Sequence, residues 1–591
     1  MPISSLPSRG SIWIQHVPRP VCCLRLHRVR RGGRRFGCPE VAEEAPGTVL
    51  SIEEPHVDTS RGGRVVRGRP GRALLATLAV SALALVGIDD PARVPESARA
   101  ALTPTPTPAL ERPVSRPNVL MITVDDLAAA DLPYLPRVRR LMETGGVTFG
   151  DGIAPSPMCV PARASLLTGQ YAHNHGAKTV RGPAGGYQAR DWDDRDTIAS
   201  ALQDAGYDTL FTGKYLNGYG KNRTARDIPP GWTDWRATPD PSTYRFFDQR
   251  LSVNGRIERQ QGYTTDVMTE QATQMIGERR DNPWFAWVNY VAPHVGGPVD
   301  AEAPRKKYAG TRQARFKSTV PDPEDVGFYR DVPLPITPNS FPEPDHETLP
   351  EWAPANVRQF DEADRQALNI VYQRRIEAAR GLDRAVAKLF RQLKATGQLD
   401  RTLVIFTSDN GYAVGNHNLN GKLYHYDESV RIPILMRGPG LPQGVTVPTA
   451  VTNPDLAATI LAATGVAPPR PLDGVDILPW VDAPAQVRVV PIEAYQVAGT
   501  QRIYWGVRVG AWTYVRYRRG GQELYDRSRD PYEIHNLAGE KRYAPARKAL
   551  ASLAKRYRGC AGETCPRDFY PADELAELLA EAASGEGSAD A

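Results

Sequence analysis

From Pro117 onward the chain alternates between short apolar runs and helical stretches. The run at 118–124 is continuously apolar, which predicts a strand that is buried on both faces. Such alternation is typical of a parallel sheet covered by helices on both sides, with the ligand site beyond the carboxyl ends of the strands. The same pattern predicts further strands at 207–211, 284–291 and 403–406, and helices at 135–145, 197–205 and 361–396.

The pattern changes twice farther along the chain. Residues 296–354 are rich in proline and charge, which predicts a long surface insertion near the mouth of the site. After about residue 470, short alternating runs predict an antiparallel sheet. Because a single core seldom exceeds about 250–300 residues, we expect two lobes. They are an α/β domain at 116–470, with a large, mixed, mostly parallel sheet sandwiched by helices, and a smaller α+β lobe at 471–591.

The N-terminal region has features of export. An apolar run at 73–87 follows a basic stretch, which indicates a signal peptide over 73–100, with an uncleaved anchoring helix as the alternative. A Thr/Pro-rich linker follows at 101–115. Residues 1–72 form an arginine-rich leader, most of which fits either a disordered tail or a misplaced start of translation. We therefore expect a secreted or cell-surface protein.

The overall charge does not indicate a nucleic-acid partner. The formal net charge is +6, but arginine is concentrated in the leader. Without the leader the chain is close to neutral or acidic. Charged residues at 24% and hydrophobic residues at 41% are ordinary values for a soluble globular protein.

Cysteine usage singles out one residue. Three of the six cysteines lie in the leader. Cys560 and Cys565 are close enough in sequence to close a small disulfide loop in an exported protein. Cys159 is then left unpaired, either as a buried, inert thiol or as a functional group.

Two acidic clusters follow predicted buried strands. Asp125 and Asp126 come after the first strand, and Asp409 and Asn410 come after the strand at 403–406. Carboxylate and amide oxygens at one edge of a sheet suit a hard divalent cation, calcium or magnesium. Taken alone, each cluster is equally well explained as a helix cap or a turn.

A third motif begins at Cys159. Pro161 suits the first turn of a helix, whose N-terminal amides bind anions. Arg163 adds a guanidinium suited to bidentate contact with an oxyanion. Cys159 would stand at the anion-facing end of this helix, where a bare cysteine could act as a thiolate nucleophile of lowered pKa.

These motifs together resemble the type I sulfatases of the alkaline phosphatase superfamily, and most closely the N-acetylglucosamine-6-sulfatases and heparan 6-O-endosulfatases. The resemblance extends over about 116–539. Its first motif is Cys159-Val160-Pro161-Ala162-Arg163, followed by Ala-Ser-Leu-Leu-Thr-Gly. The others are Thr212-Gly213-Lys214, Pro229-Pro230-Gly231-Trp232, Ala292-Pro293-His294, Asp409-Asn410-Gly411, Gly415-Asn416-His417, Gly421-Lys422 and Leu524-Tyr525-Asp526.

The resemblance implies an alkaline phosphatase-like fold and a sulfuric ester hydrolase. A formylglycine-generating enzyme would oxidise Cys159 to formylglycine (3-oxoalanine), whose hydrate attacks sulfur in a sulfated carbohydrate. The implied cation is calcium, with magnesium also suitable. The implied roles are cation binding for Asp125, Asp126, Asp409, Asn410 and the modified Cys159, orientation of the nucleophile for Arg163, sulfate binding for Lys214 and Lys422, and general acid for His294.

Several alternatives stay open. The same nucleophile and metal could serve a phosphonate or phosphodiester hydrolase, and a catalytically silent glycan-binding protein could keep the fold. The resemblance points to glucosamine 6-sulfate in glycosaminoglycans, but the exact substrate, exo or endo action and the oligomeric state are undetermined. The roles of His173, His175 and His417 are also undetermined.

Overall fold

The computed structural model describes residues 116–341, 359–483 and 485–565, together with 569–570 and 577. The predicted leader, signal-like segment and linker, all within 1–115, lie outside the described residues, as does the last part of the predicted insertion, 342–354. Among the helices that are described, none is both long and apolar enough to cross a membrane.

The described residues contain nineteen strands. In chain order they are β1 (Asn118–Val124), β2 (Val147–Phe149), β3 (Gly152–Ile153), β4 (Asp208–Lys214), β5 (Asp234–Thr238), β6 (Arg250–Val253), β7 (Arg256–Arg259), β8 (Trp284–Asn289), β9 (Thr402–Ser408), β10 (Ala413–Val414), β11 (Asn420–Gly421), β12 (Ile434–Arg437), β13 (Val445–Val447), β14 (Val451–Thr452), β15 (Val487–Tyr495), β16 (Arg502–Val509), β17 (Trp512–Tyr517), β18 (Gln522–Asp526) and β19 (Phe569–Tyr570).

Ten α-helices accompany these strands in the same part of the chain. They are α1 (Pro136–Val138), α2 (Cys159–Thr168), α3 (Ala172–His175), α4 (Ile198–Asp204), α5 (Thr264–Gly277), α6 (Pro304–Lys307), α7 (Glu362–Ala395), α8 (Asp427–Val430), α9 (Asn453–Thr464) and α10 (Ala544–Tyr557). Helix α1 continues as a π-helical segment, Arg139–Glu143.

The main sheet has ten strands, in the order β13-β2-β12-β9-β1-β8-β4-β5-β6-β7. The five strands β9, β1, β8, β4 and β5 in the middle run parallel, as predicted. Antiparallel pairs flank them, because β12 pairs with both β9 and β2, and because β5, β6 and β7 form a meander. The β6–β7 turn consists of Asn254 and Gly255, both with positive φ, the backbone that a two-residue hairpin requires.

Helices cover both faces of this sheet. In β1, Val119 and Met121 pack on one side with residues of α2, α4 and α9, whereas Leu120 and Ile122 pack on the other side with residues of α5 and α7. This alternation follows from the two-residue period of a strand. A strand that buries both faces must be apolar throughout, which is why the continuous apolar run at 118–124 predicts such a strand.

The remaining elements differ from the predictions mainly at their ends. The first predicted helix starts at Pro136 rather than Leu135, since proline suits the first position of a helix. Strand β4 extends to Lys214, because that residue still pairs with Thr238 of β5. The described part of the predicted insertion, 296–341, contains helix α6 and a short 3-10 turn, Arg312–Arg315.

The second lobe contains the predicted antiparallel sheet. Its order is β18-β17-β16-β15-β19, and α10 packs against it through residues such as Leu550 and Tyr557. Cys560 and Cys565 form the expected disulfide directly after α10. Cys159 is the free cysteine of the described chain, and it is buried.

Candidate active site

Four neighbouring strands of the main sheet end at one edge. Since β9, β1, β8 and β4 are parallel and adjacent, their carboxyl ends lie side by side. Asp125 and Asp126 follow β1, and Asp409 and Asn410 follow β9. Carboxylate oxygens of the three aspartates lie within 4.8 Å of one another. The structure thus joins the two predicted acidic clusters into one group.

Helix α2 presents Cys159 to this group. Cys159 is the first helical residue, and Pro161 lies in the first turn, where a backbone N–H has no partner within the helix. The Cys159 Sγ atom lies 3.4 Å from Asp125 Oδ1 and 2.7 Å from Lys422 Nζ. Cys159 therefore lies among charged groups, at the positive end of the α2 dipole.

Arg163 is completely buried and holds three strand ends together. Its Nε donates to Asp409 Oδ2 at 2.9 Å, and its Nη1 donates to the Lys214 carbonyl oxygen at 3.0 Å and to Asn289 Oδ1 at 2.7 Å. Of its nitrogens, Nη2 lacks a hydrogen-bond partner among the described residues. The predicted bidentate contact with an oxyanion is therefore wrong, because the other two nitrogens already bond to the protein. Arg163 can orient the site around the nucleophile, the other role predicted for it.

Two lysines neutralise the carboxylates. Lys214 Nζ hydrogen-bonds to Asp125, and Lys422 Nζ hydrogen-bonds to Asp126. Burial raises the pKa of Asp125, but Lys214 and then His294 outweigh it, and the pKa lies below its ordinary value. The pKa of Asp126 is likewise lowered, with Lys422 outweighing the effect of burial. Both side chains are thus charged at neutral pH.

The thiol of Cys159 is not activated by these surroundings. Burial, reinforced by the Asp125 carboxylate, raises the pKa of the Cys159 thiol to about 12, although Lys214 and Lys422 oppose the shift. A thiol with this pKa is almost entirely protonated at neutral pH, and the thiolate is the reactive form. The unmodified side chain therefore does not fit the thiolate nucleophile that the motif by itself suggested.

The acidic group has the donors that a hard divalent cation prefers. Besides the three carboxylates, Asn410 Oδ1 is buried and has no hydrogen-bond partner in the part of the chain that the structure describes. The other amide atom, Nδ2, donates to Asp126 Oδ1 at 2.7 Å. Because a buried acceptor without a partner is unfavourable, Asn410 Oδ1 fits a ligand atom for calcium or magnesium.

The backbone of Asp126 is held in a strained conformation. Its φ is +71°, a value that a non-glycine residue adopts at a cost of about 1–3 kcal/mol. Its N–H donates to Asp409 Oδ1 at 3.1 Å, and its carbonyl oxygen accepts from Arg375 Nη2 of α7 at 2.6 Å. These bonds fix the direction of the Asp126 carboxylate.

His294 lies between the acidic group and an aromatic ring. Its Nε2 is 3.8 Å from Asp126 Oδ2, and its ring packs on Tyr244 with 4.6 Å between centroids. Since Nδ1 lies 2.7 Å from the Val295 carbonyl oxygen, which only accepts, Nδ1 is the donor there and Nε2 faces the acidic group. Burial lowers the pKa of His294, with Asp125 and Asp126 opposing the shift. This position suits the predicted proton donor.

Two residues of the site were not identified from the sequence. Asn289, the last residue of β8, anchors Arg163. It carries the same signal as Asp125, a polar side chain at the carboxyl end of a buried strand. The ring of Tyr244, whose centroid is 5.3 Å from Lys214 Nζ, lies in a short 3-10 turn that carries no such signal.

The three histidines with undetermined roles have structural contacts. His173 Nδ1 lies 2.8 Å from Glu493 Oε1 and connects α3 to β15 of the second lobe. His175 hydrogen-bonds to helix α2, and His417 stacks on Tyr426 with 3.7 Å between centroids. These contacts account for the three rings without a role in catalysis.

The His173–Glu493 pair predicts a pH-dependent contribution to stability. Burial lowers the pKa of His173, but Glu493 outweighs it, so the pKa lies above its ordinary value. Stability from a raised pKa is present below the unfolded-state pKa and is lost as pH rises through the folded-state pKa. His173→Gln should therefore lower the urea midpoint more at about pH 6 than at about pH 9. The exposed His535→Gln serves as control, and an equal loss at both pH values would contradict the assignment.

Comparisons with known proteins agree with this geometry. A family model described as Sulfatase matches residues 117–466, and one described as N-sulphoglucosamine sulphohydrolase, C-terminal, matches 415–558. The extracellular sulfatase SULF-1 homolog of Drosophila melanogaster is 30% identical over 378 residues, 62% of this chain and 31% of that protein. The N-acetylglucosamine-6-sulfatase of Homo sapiens is 30% identical over 385 residues, 62% of this chain and 64% of that protein.

The fold is also found in solved structures. A protein in complex with its substrate D-glucosamine-2-N,6-O-disulfate superposes with a TM-score of 0.61 at 19% identity, over 80% of this chain and 100% of that one. At this identity the similarity concerns the fold, and it confirms the predicted large α/β domain with its smaller lobe. The chain spans less than two thirds of the length of the two curated relatives above.

Proposed function

The chain belongs to the sulfatase family, and we propose that it hydrolyses the sulfate ester of a sulfated sugar of the glucosamine 6-sulfate type. The observation that carries the proposal is the position of Cys159, at the N-terminus of α2 and 3.4 Å from Asp125, with Lys422 and the other acidic residues around it. An anion approaching this edge meets a helix N-terminus and two ammonium groups.

The side chains around Cys159 have different roles in ester hydrolysis. Lys214 and Lys422 bind the sulfate oxygens and stabilise negative charge as it develops in the transition state. His294 acts as general acid in its imidazolium form: Nδ1 keeps its proton for the Val295 carbonyl oxygen, and Nε2 donates the second proton to the leaving alcohol oxygen, with Asp125 and Asp126 favouring that charged form. Arg163 keeps Asp409 in place. A divalent cation, calcium by family resemblance or magnesium, would be held by Asp125, Asp126, Asp409, Asn410 and the modified Cys159, and when bound it supplies Lewis-acid polarisation.

The nucleophile in this proposal is a modified Cys159. Formylglycine, made from Cys159 by a formylglycine-generating enzyme, supplies when hydrated a hydroxyl that displaces the alcohol from sulfur. The raised pKa of the unmodified thiol supports this choice over a thiolate. Peptide mass spectrometry across Cys159 of the protein from its natural host tests it directly. An unmodified thiol in fully active protein would overturn the mechanism.

The reaction class is tested by parallel assays. Sulfate release from N-acetylglucosamine 6-sulfate and from an aryl sulfate is compared with hydrolysis of a phosphodiester by the same preparation. We expect the sulfate esters to be turned over faster. A large excess of phosphoester turnover would favour the phosphonate or phosphodiester alternative, and no turnover of any ester by protein with a modified Cys159 would favour the glycan-binding alternative.

The proton-donor role of His294 predicts a dependence on the leaving group. His294→Gln should lower kcat for a sugar sulfate by about 10²- to 10³-fold, because an alkoxide leaves poorly without a proton. For an aryl sulfate with a good leaving group the loss should be much smaller, since that oxygen needs little protonation. Equal losses for both substrates would instead indicate that His294 serves binding or cation placement.

We further propose that the protein is secreted or held at the cell surface. The Cys560–Cys565 disulfide supports this, since disulfides persist in oxidising compartments. The similarity to proteins named extracellular sulfatases points the same way. N-terminal sequencing of protein recovered from culture medium or from membranes would establish the location and show whether the segment at 73–100 is cleaved.

A further inference from the structure

A cavity of about 360 Å³ opens beside His294. It is lined by Tyr244, His294 and residues of the segment 295–318, among them Val299, Arg305, Lys317 and Ser318. The volume is in the range of small-molecule sites. His294 belongs to both the cavity and the acidic group, because its ring packs on Tyr244 and its Nε2 is 3.8 Å from Asp126 Oδ2.

The charge of the cavity is positive and is not neutralised by the protein. Arg305 and Lys317 are exposed, and no acidic residue is found among its described lining residues. Neither cation forms an ion pair within the described residues. The acids nearest to Arg305 in sequence are engaged elsewhere, Glu302 with Lys307 and Asp300 with Arg374.

One lining residue carries a buried hydroxyl without a partner. Ser318 is only 2% exposed, lines the cavity, and its Oγ has no hydrogen-bond partner in the described part of the chain. A buried hydroxyl without a partner is unfavourable unless a ligand or water bonds to it. Two exposed cations and a residue with a buried, unpaired hydroxyl thus line one space, a set of groups that suits an anionic oxygen group.

The backbone around this space is fixed by hydrogen bonds. The Gly296 N–H donates to the Ser318 carbonyl oxygen at 3.3 Å, and the Gly297 N–H donates to the Tyr244 carbonyl oxygen at 3.0 Å. A Cβ atom at Gly296 would lie 2.3 Å from the ring of Phe246, so this position requires glycine. The segment that carries Ser318 is thereby held against the turn that carries Tyr244.

We propose that this cavity binds a second anionic group of the substrate, through Arg305, Lys317 and Ser318 Oγ, while the scissile sulfate lies at Cys159. The proposal rests on the sulfatase function proposed above and narrows its substrate class to sugars that carry two anionic groups. Arg305, Lys317 and Ser318 are then specificity residues: they contribute to the binding of polyanionic sugars and do not contact the reacting atoms.

Calorimetry measures the binding of sulfated sugars to the full-length Cys159→Ala protein in calcium buffer, where no turnover occurs, and so tests the proposed second anion site. The probes are glucosamine 6-O-sulfate, glucosamine 2-N,6-O-disulfate, and a disaccharide that joins a uronic acid to glucosamine 6-O-sulfate. We expect at least one of the two dianionic probes to bind about tenfold more tightly than the monosulfate. Which of them does so identifies the second group as a sulfate or a carboxylate.

Three further variants are each combined with Cys159→Ala: Arg305→Gln, Lys317→Gln and Ser318→Ala. Each should weaken the binding of the tighter dianionic probe about three- to tenfold and leave the affinity for the monosulfate unchanged. Lys306→Gln is the matched control, because Lys306 is the exposed neighbour of Arg305 in α6 and does not line the cavity. Equal affinity for all probes, binding of none, or an equal loss in Lys306→Gln would overturn the proposal. Failure of the sulfatase function would instead appear as absent sulfate release by the modified enzyme with this binding pattern retained.

Discussion

Replacing Cys159 by alanine is expected to lower sulfate release by at least about 10⁴-fold, because the group that attacks sulfur is then absent. The fold should persist, since the change removes one sulfur atom and its contacts with Asp125 and Lys422, and leaves α2 with a good helix former. Steady-state assay of sulfate release, together with circular dichroism and thermal unfolding, measures both effects. Unfolding of Cys159→Ala would favour a structural role for a buried thiol.

Val160→Ala provides the matched control for this variant. Val160 is the next residue of α2, is also completely buried, and packs in the core on that face of the sheet. Its truncation should cost about 2 kcal/mol of stability and leave turnover nearly unchanged. The two variants thus separate loss of chemistry from loss of packing. A loss of activity in Val160→Ala as large as in Cys159→Ala would contradict the role of Cys159 as the source of the nucleophile.

The second large effect is expected for Asp409→Asn. Asp409 accepts from Arg163 Nε at 2.9 Å and from the Asp126 N–H at 3.1 Å, and both side chains of the ion pair are fully buried. The amide keeps the shape but leaves the Arg163 charge without its partner, which should cost about 3 kcal/mol of stability. It also removes a cation ligand and loosens Asp126, so turnover should fall by about 10²- to 10³-fold.

Denaturant unfolding, bound-metal analysis and turnover measure these consequences separately. Asp193→Asn is the control, because Asp193 pairs with the exposed Arg195 and the change should cost less than about 0.5 kcal/mol. Stability of Asp409→Asn equal to that of the parent would show that Arg163 does not depend on Asp409. Unchanged metal content with unchanged turnover would remove Asp409 from the cation site.

Much of the fold could be predicted because its signals are local. The apolar run at 118–124 and the strands at 284–291 and 403–406 lie where the structure has β1, β8 and β9. The flanking antiparallel strands were not predicted, since β12 and the β5–β6–β7 meander are short and their pairing depends on partners far away in sequence. The ends of elements shifted by one to three residues, because pairing and packing decide where a strand stops.

The sequence by itself determined the chemistry that this protein has available: the motif at Cys159, the acidic residues at two strand ends, and the family that these motifs indicate. Only the tertiary structure determined which partners each of these groups has, and therefore which role each can have. It showed that Arg163 bonds to Asp409 and Asn289, that Cys159 is buried between Asp125 and Lys422, and that Ser318 lines a positive cavity. The physical reason is that a sequence motif consists of a few neighbouring residues, so the functional groups that it supplies can be read from the sequence. Burial and charge pairing depend on residues that lie tens to hundreds of positions apart, such as Cys159 with Asp125 and Arg163 with Asp409.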